Sequence, residues 1–273
     1  MTTELSLLQS SPIDDLVEMA GIEANRAKID FSVYTYNDIP VPRVTSIISS
    51  VFDKEFLVNW ALSFQYKQQY YQARDQILSI GTKVHEAIED FLQYGKEPEI
   101  PYKRAPRQAP YIKKAYTNFK HWYEHLIETG NTFELVGIEV PVINPYYGGT
   151  VDCIAKINNA YYILDFKTSK KISYEYIIQV AAYMWTINQG YTNLPHISGI
   201  GIIRIDKETD RYEDLFLNEF IPDQKAIIDS YISGFGSILS TYYNKLNMEY
   251  MFNIYKKNYP GLLEIIKEND INE

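Results

Sequence analysis

The sequence predicts a mixed α/β (α+β) protein, with a central mixed sheet and additional helices at both ends. Hydrophobic residues follow helical spacing over the first half of the chain, alternate with a period of two between residues 133 and 166, and return to helical spacing at 173–189. The chain has 273 residues and is 46% hydrophobic. It is therefore long enough and apolar enough to bury a sizeable core.

The first part of the chain is predicted to be mostly helical. Residues 1–30 form an acidic amphipathic extension, and 31–42 alternate like a short strand that ends at two prolines. Thr45 or Ser46 is expected to cap the next helix. Helical spacing then covers 54–76, 81–94 (opening at Gly81) and 111–129, with a proline-rich loop at 96–110.

The second part is predicted to hold the sheet. The expected strands are 133–143, 147–157, 160–166, 197–205 and 212–220, with helices at 173–189 and at 222–268, the latter broken at Pro260. We expect residues 31–220 to form the core of one compact domain. Residues 1–30 and 221–273 are its N-terminal and C-terminal extensions.

Cysteine content and hydropathy restrict the class of protein. Cys153 is the only cysteine, which excludes a disulfide or a four-cysteine zinc or iron–sulfur site within one chain. No apolar run reaches the ~18 residues of a membrane span, and the first residues resemble neither a signal peptide nor a transit peptide. We expect a soluble, cytoplasmic protein with no membrane partner.

Charge is unevenly distributed. The formal net charge of −9 argues against a general affinity for nucleic acid. However, residues 101–125 are locally basic, with Lys103, Arg104, Arg107, Lys113, Lys114 and Lys120 against Glu124. This stretch suits an anionic substrate held in one channel, and it suits a solvated helix face and loop equally well.

A predicted hairpin carries the strongest chemical signal. If Asn158 and Asn159 form a two-residue turn, counting outward places Asp152 opposite Asp165, with Lys167 on the same face. Directly opposed residues have Cβ atoms ~4.5–5.5 Å apart, and two carboxylates held this close repel each other unless a cation lies between them. A divalent metal ion is one candidate. The alternative is a surface hairpin in which Lys167 neutralises one carboxylate.

Two further features leave structural and functional interpretations open. Gln179 and Tyr183 share one face of an otherwise apolar helix, where they either bind each other or reach a substrate, and mutual pairing is the simpler explanation. The 25 tyrosines include candidates for stacking on unpaired bases. In helix 54–76 these candidates are Trp60, Phe64, Tyr70 and Tyr71, for which a place in the core is favoured.

Together these segments resemble the PD-(D/E)xK nuclease superfamily, and within it the RecB-like exonuclease branch that contains phage exonucleases and the mitochondrial genome maintenance exonuclease. The resemblance covers residues 41–183 and implies a restriction-endonuclease-like αβββαβ core. The matching segments are VPRVTSII (41–48), GTKVHEAIEDF (81–91), EVPV (139–142), GGTVDCI (148–154), ILDFKTSK (163–170) and QVAAY (179–183).

The resemblance implies roles for individual residues. His85, Asp152, Asp165 and the backbone carbonyl of Phe166 match metal ligands, although a histidine in such a helix is more often simply packed. Lys167 matches the lysine that positions or activates the attacking water, and a metal beside it should lower its pKa. Glu139 matches an acidic residue that binds a second metal or its water. The implied DNA contacts are Gln179, Tyr183, Thr45, Ser46, Lys170, Lys103, Arg104 and Arg107.

The implied function is a metal-dependent DNA exonuclease that uses one or two Mg²⁺ or Mn²⁺ ions and no iron–sulfur cluster. We expect it to prefer single-stranded DNA or free ends, in replication, recombination or repair. The chain carries no helicase motif, so a helicase, polymerase or recombinase partner would supply movement along DNA. The protein is expected to act inside a cell, either as a cellular protein or as a phage or viral protein in its host. The alternatives are a non-catalytic module that binds DNA ends and a structure-specific endonuclease.

Overall fold

A computed structural model describes residues 34–52, 61–63 and 65–258. The predictions for residues 1–30, for Trp60 and Phe64 and for the break at Pro260 lie outside this range. The helices and strands, in chain order, are β1 (Tyr34–Tyr36), β2 (Ile39–Val41), α1 (Val44–Val51), α2 (Lys67–Tyr94), α3 (Ala109–Glu128), β3 (Phe133–Ile143), β4 (Gly148–Ile157), β5 (Ala160–Lys167), α4 (Tyr174–Thr186), β6 (Gly199–Ile205), β7 (Tyr212–Asn218) and α5 (Pro222–Asn258).

Five strands form the central sheet in the order β3-β4-β5-β6-β7. All neighbours are antiparallel except β5 and β6, which are parallel. Helix α4 provides the crossover that a parallel pair requires. This arrangement confirms the predicted mixed α/β class with helices at both ends, and its α-β-β-β-α-β order is the predicted core.

The turn at Asn158 sets the register of the central hairpin. Ile157 pairs with Ala160, and the pairing continues to Cys153 and Leu164. Asn158 has a φ of 55°, a left-handed conformation that asparagine tolerates. The predicted register is therefore confirmed up to the pair that precedes Asp152 and Asp165.

Both faces of the sheet are covered, because successive side chains on a strand point to opposite sides. On one face Ile154, Ile163 and Ile200 pack with α1, α4 and α5. On the other face Cys153 and Leu164 pack with α2 and α3. The strand that ends in Asp165 and Lys167 is consequently apolar along most of its length.

Helix α2 differs from the prediction. Residues 81–94 do not begin a new helix at Gly81, because one helix of 28 residues runs through that glycine. Ile80, Val84 and Ile88 are buried on one face that continues across Gly81. Tertiary packing therefore outweighs the local preference of glycine for a helix end.

The first elements also need correction. Residues 31–42 contain a hairpin rather than one strand, since Asn37 and Asp38 turn the chain with φ values of 48° and 64°. Neither Thr45 nor Ser46 caps α1, which follows Arg43 without a side-chain cap. Arg43 is bridged to Gly148 and Val44 is fully buried, so packing fixes where this helix begins.

The later boundaries agree with prediction within a few residues. Strand β3 has the predicted limits, and the other strand ends move by one or two residues. The helix expected to end at Gly190 becomes a π-helical turn at Ile187–Tyr191, in which that glycine has a φ of 80°. Such turns are often found near functional sites.

Candidate active site and metal centre

Asp165 lies near the end of β5 and is only 2% exposed. One oxygen, Oδ1, accepts a hydrogen bond of 2.7 Å from Nζ of Lys167. The other, Oδ2, is buried and has no hydrogen-bond partner among the residues that the structure describes. Burial raises the pKa of this carboxyl group despite the positive charge of Lys167. An unpartnered buried carboxylate oxygen is costly, and a cation at this position would satisfy it.

Asp152 lies on the neighbouring strand β4 and links that strand to two other elements. Its Oδ2 accepts a hydrogen bond of 2.8 Å from the backbone amide of Phe166. The same oxygen lies 3.5 Å from Nδ1 of His85 on α2. Asp152 therefore joins the hairpin to the helix at one edge of the fold, and the backbone of Phe166 reaches the same place.

Three side chains form a group that could hold a metal ion. His85, Glu139 and Asp152 each offer one ligand atom, and these atoms lie within 4.8 Å of one another. Two ligands on opposite sides of Mg²⁺ are about 4 Å apart, so small side-chain movements would close the group around an ion. Asp165 is not in this trio, but the charges of Asp152 and His85 act on its pKa.

Glu139 is held by an unusual backbone. It lies in β3 with a φ of 46°, although a side chain there costs ~1–2 kcal/mol relative to an extended residue. Its neighbours Ile138 and Val140 pair with Cys153 and Val151, which places Glu139 across from Asp152. Partial loss of hydration, followed by the charge of Asp152, raises the pKa of Glu139. The strained residue thus brings a second negative charge to the metal-binding group.

Lys167 faces the carboxylates from the end of β5. Its Nζ lies 2.7 Å from Oδ1 of Asp165 and 5.0 Å from the ring centre of Tyr176. Burial alone would lower the pKa of this lysine, but the charges of Asp165 and Asp152 outweigh burial and raise it. The predicted lowering concerns a lysine beside a bound metal ion, and it stays a prediction.

Gln179 and Tyr183 bind each other, as the simpler interpretation predicts. Nε2 of Gln179 lies 3.3 Å from the hydroxyl of Tyr183, whose ring is buried. A Cβ atom on Gly149 would lie only 2.3–2.6 Å from this ring, so the glycine allows α4 to approach β4 closely. The contact of Gln179 and Tyr183 with DNA stays a prediction.

Some residues near the site escaped prediction. Tyr176 lies three residues before Gln179 and seven before Tyr183 on α4, and this helical spacing could have revealed it. Lys207 donates a 2.9 Å hydrogen bond to the carbonyl oxygen of Thr168 and so anchors the loop after Lys167. Lys207 is more than 30 residues from Thr168 in the sequence, and no sequence pattern indicated that the two residues would meet.

The other predicted DNA contacts are exposed residues on three segments of the chain. Thr45 and Ser46 are exposed in the first turn of α1, and Lys170 is exposed in the loop after β5. The basic residues Lys103, Arg104 and Arg107 are exposed between α2 and α3.

Part of that basic loop lines a cavity beside α2. Lys103 and Arg104 line a cavity of about 700 Å³ together with Lys83 and Glu86. Lys83 and Glu86 lie on the side of α2 away from His85. The role of these cations in DNA binding stays a prediction.

Comparisons with known proteins agree with the sequence motifs at the level of the superfamily. A family model of the PD-(D/E)XK nuclease superfamily matches residues 60–233. No curated protein matches the chain. The crystal structure of SSO0001 is 15% identical and covers 81% of this chain and 84% of its own, with a TM-score of 0.34, too low to support any inference. No helix in the described part of the chain is long and apolar enough to cross a membrane.

Proposed function

This chain belongs to the PD-(D/E)XK nuclease superfamily, and from that premise we propose that it is a DNA exonuclease of the RecB-like branch. It would hydrolyse phosphodiester bonds with Mg²⁺ or Mn²⁺, starting from single-stranded ends, in DNA replication, recombination or repair. Membership in the superfamily implies a nuclease, and nucleases of this superfamily use divalent metals. The branch, the exonuclease activity and the preference for single strands are the proposed refinements.

The observation that best supports the metal is the buried, unpartnered Oδ2 of Asp165. The trio of His85, Glu139 and Asp152 adds further ligand atoms beside it. The carboxylates of this donor set suit Mg²⁺ or Mn²⁺. A divalent ion bound here would supply Lewis acidity, neutralising phosphate charge and making water a better nucleophile.

The protein's own groups divide the remaining work. Nζ of Lys167 lies 2.7 Å from Oδ1 of Asp165, where it can donate a hydrogen bond to a phosphate oxygen or orient the attacking water. Asp165 fixes the ammonium group of Lys167. Tyr183 packs against Gly149 and supports the wall of the site, and Gln179 donates a hydrogen bond to its hydroxyl group.

End-labelled DNA substrates test this function. The protein is incubated in Mn²⁺ with linear single-stranded, linear duplex and circular single-stranded DNA, the linear forms labelled at either end. An exonuclease with the proposed preference shortens the linear single strand fastest and leaves the circle intact. Cleavage of the circle would instead identify an endonuclease. Binding without turnover in Mn²⁺ would identify a non-catalytic module.

A further inference from the structure

The N-terminal part of α2 projects beyond the packed core. Ile80 is the first buried residue of this helix, and residues 68–79 before it are exposed or only half-buried. At 1.5 Å per residue this arm is roughly 16–18 Å long. A helix of this length gains little stability without packing, so its exposed apolar residues call for an explanation.

One face of the arm continues the face that carries His85. Tyr71, Arg74 and Leu78 precede His85 by 14, 11 and 7 residues, which places all three within about 40° of it around the helix axis. We call these three residues the α2 stripe. Between Leu78 and His85, a Cβ on Gly81 would lie 3.6 Å from Oγ1 of Thr168, the residue after Lys167. The stripe therefore begins at the candidate active site and leads away from it.

The chemistry of the stripe is aromatic, apolar and cationic. Leu78 is 60% exposed and Tyr71 is 38% exposed. The guanidinium carbon of Arg74 lies 5.0 Å from the ring centre of Tyr71. Stacking surfaces beside a cation are what proteins use to bind unpaired bases and their phosphates.

Arg74 supplies the positive charge of the stripe. Within the arm, residues 68–79, the charged residues are Arg74 and Asp75, in a chain whose net charge is −9. Asp75 pairs with Arg74 at 2.8 Å, but both groups are exposed, and such surface pairs exchange readily with other ions. The arm is thus neutral overall on an acidic protein, and the guanidinium group of Arg74 is the cation that it offers.

We propose that the α2 stripe binds unpaired bases of the DNA strand whose scissile phosphate lies at Asp165 and Lys167. This inference rests on the proposed function and adds to it the path of the strand and the contacts that select single-stranded DNA. Tyr71 and Leu78 bind the bases through their apolar surfaces. Arg74 contacts a phosphate. Base pairs in a duplex would hide the faces that the stripe contacts.

The proposal is tested by measuring binding to two single-stranded oligonucleotides of equal length. One is oligodeoxythymidine, and the other is an abasic strand, in which every base has been removed. Affinity is measured without divalent metal, so that no cleavage occurs. Tyr71→Ala should bind oligodeoxythymidine about 5-fold or more weakly, because one base stacked on an aromatic ring contributes ~1–3 kcal/mol. Leu78→Ala should also bind oligodeoxythymidine more weakly than the wild type, because it removes apolar contact with a base. Their affinity for the abasic strand should equal that of the wild type.

Two variants provide controls. Tyr94→Ala removes a tyrosine that is 69% exposed on the opposite face of the same helix, and its affinity for both strands should be unchanged. Tyr71→Phe keeps the ring and should bind like the wild type. Arg74→Gln should reduce the salt dependence of binding by ~0.7 on the logarithmic slope.

Circular dichroism checks that Tyr71→Ala and Leu78→Ala are folded. If both folded variants bind oligodeoxythymidine as tightly as the wild type, the proposal is overturned, even if the wild type digests DNA. Equal weakening on both strands would overturn base contact as well. A wild type that neither binds nor cleaves DNA would overturn the proposed function itself, and the stripe would then fit a protein partner.

Discussion

At the scale of single residues, the site is defined by charges placed where water has little access. Asp165 is buried at the end of an apolar strand, with Lys167 on one oxygen and no partner for the other among the described residues. The sequence could predict that these two charges share a face, because the spacing of two residues fixes it. It could not predict the raised pKa of Lys167, which depends on how deeply both groups are buried.

The role of Lys167 is tested by substitution with alanine. Lys167→Ala should reduce the rate of DNA cleavage at saturating substrate by about 100-fold or more, since positioned proton donors contribute factors of that size. DNA affinity should change little. Lys156→Ala, at the other end of the same hairpin, is the matched control and should cleave normally. Equal losses of affinity and rate in Lys167→Ala would make this lysine a simple phosphate contact.

Metal binding should stabilise the fold through Asp165. At a Mn²⁺ concentration of 100 times the dissociation constant, the wild type should gain about 2.7 kcal/mol in free energy of unfolding. Asp165→Asn keeps the size of the side chain but removes the charge, so most of this gain should disappear. Thermal denaturation with and without Mn²⁺ measures the difference. If Mn²⁺ raises the free energy of unfolding of Asp165→Asn as much as that of the wild type, Asp165 is not a ligand of the metal.

At the scale of helices and strands, the turn and the hydrophobic pattern predicted more than the local helix signals did. The pair Asn158 and Asn159 set the register of the hairpin correctly because a two-residue turn fixes which residues face each other. Local signals did not predict the helix boundaries at Gly81 and Thr45 correctly. Both positions carry local signals for a helix boundary, but buried neighbours from distant parts of the chain decide where these helices run.

Close packing of α4 on β4 makes Gly149 sensitive to substitution. Gly149→Ala should lower the free energy of unfolding by ~1–3 kcal/mol, because its Cβ would overlap the ring of Tyr183. The matched control is Gly236→Ala in α5, where the added Cβ meets nothing within 4 Å. That change should stabilise the helix by ~0.5–1 kcal/mol. Chemical denaturation checks both, and a neutral Gly149→Ala would contradict the close approach.

The loop between α2 and α3 is tested through salt dependence. Replacing Lys103, Arg104 and Arg107 with alanine removes three exposed cations. If each neutralises one phosphate of a single strand, the logarithmic salt slope of binding should fall by ~2 in total. Cleavage at saturating DNA should be unaffected, because the metal-binding group is untouched. An unchanged slope would make this loop an ordinary solvated surface.

At the scale of the whole molecule, sheet order explains how distant segments meet. Strands β3, β4 and β5 are neighbours, so Glu139, Asp152 and Asp165 come to one region of the sheet although 26 residues separate the first from the last. Helix α2 then adds His85 from outside the sheet. The resemblance to family motifs indicated this grouping of residues. Hydrophobic periodicity alone could predict where helices and strands lie in the sequence, but not that α2 brings His85 to Asp152.

The position of a bound metal ion tests the central claim most directly. Anomalous diffraction from crystals grown in Mn²⁺ locates the ion without reference to activity. We predict a peak within coordination distance of the carboxylates of Asp152 and Asp165, with His85 as a further ligand. A peak elsewhere, or one that leaves Asp165 more than one coordination shell away, would contradict the proposed metal-dependent active site.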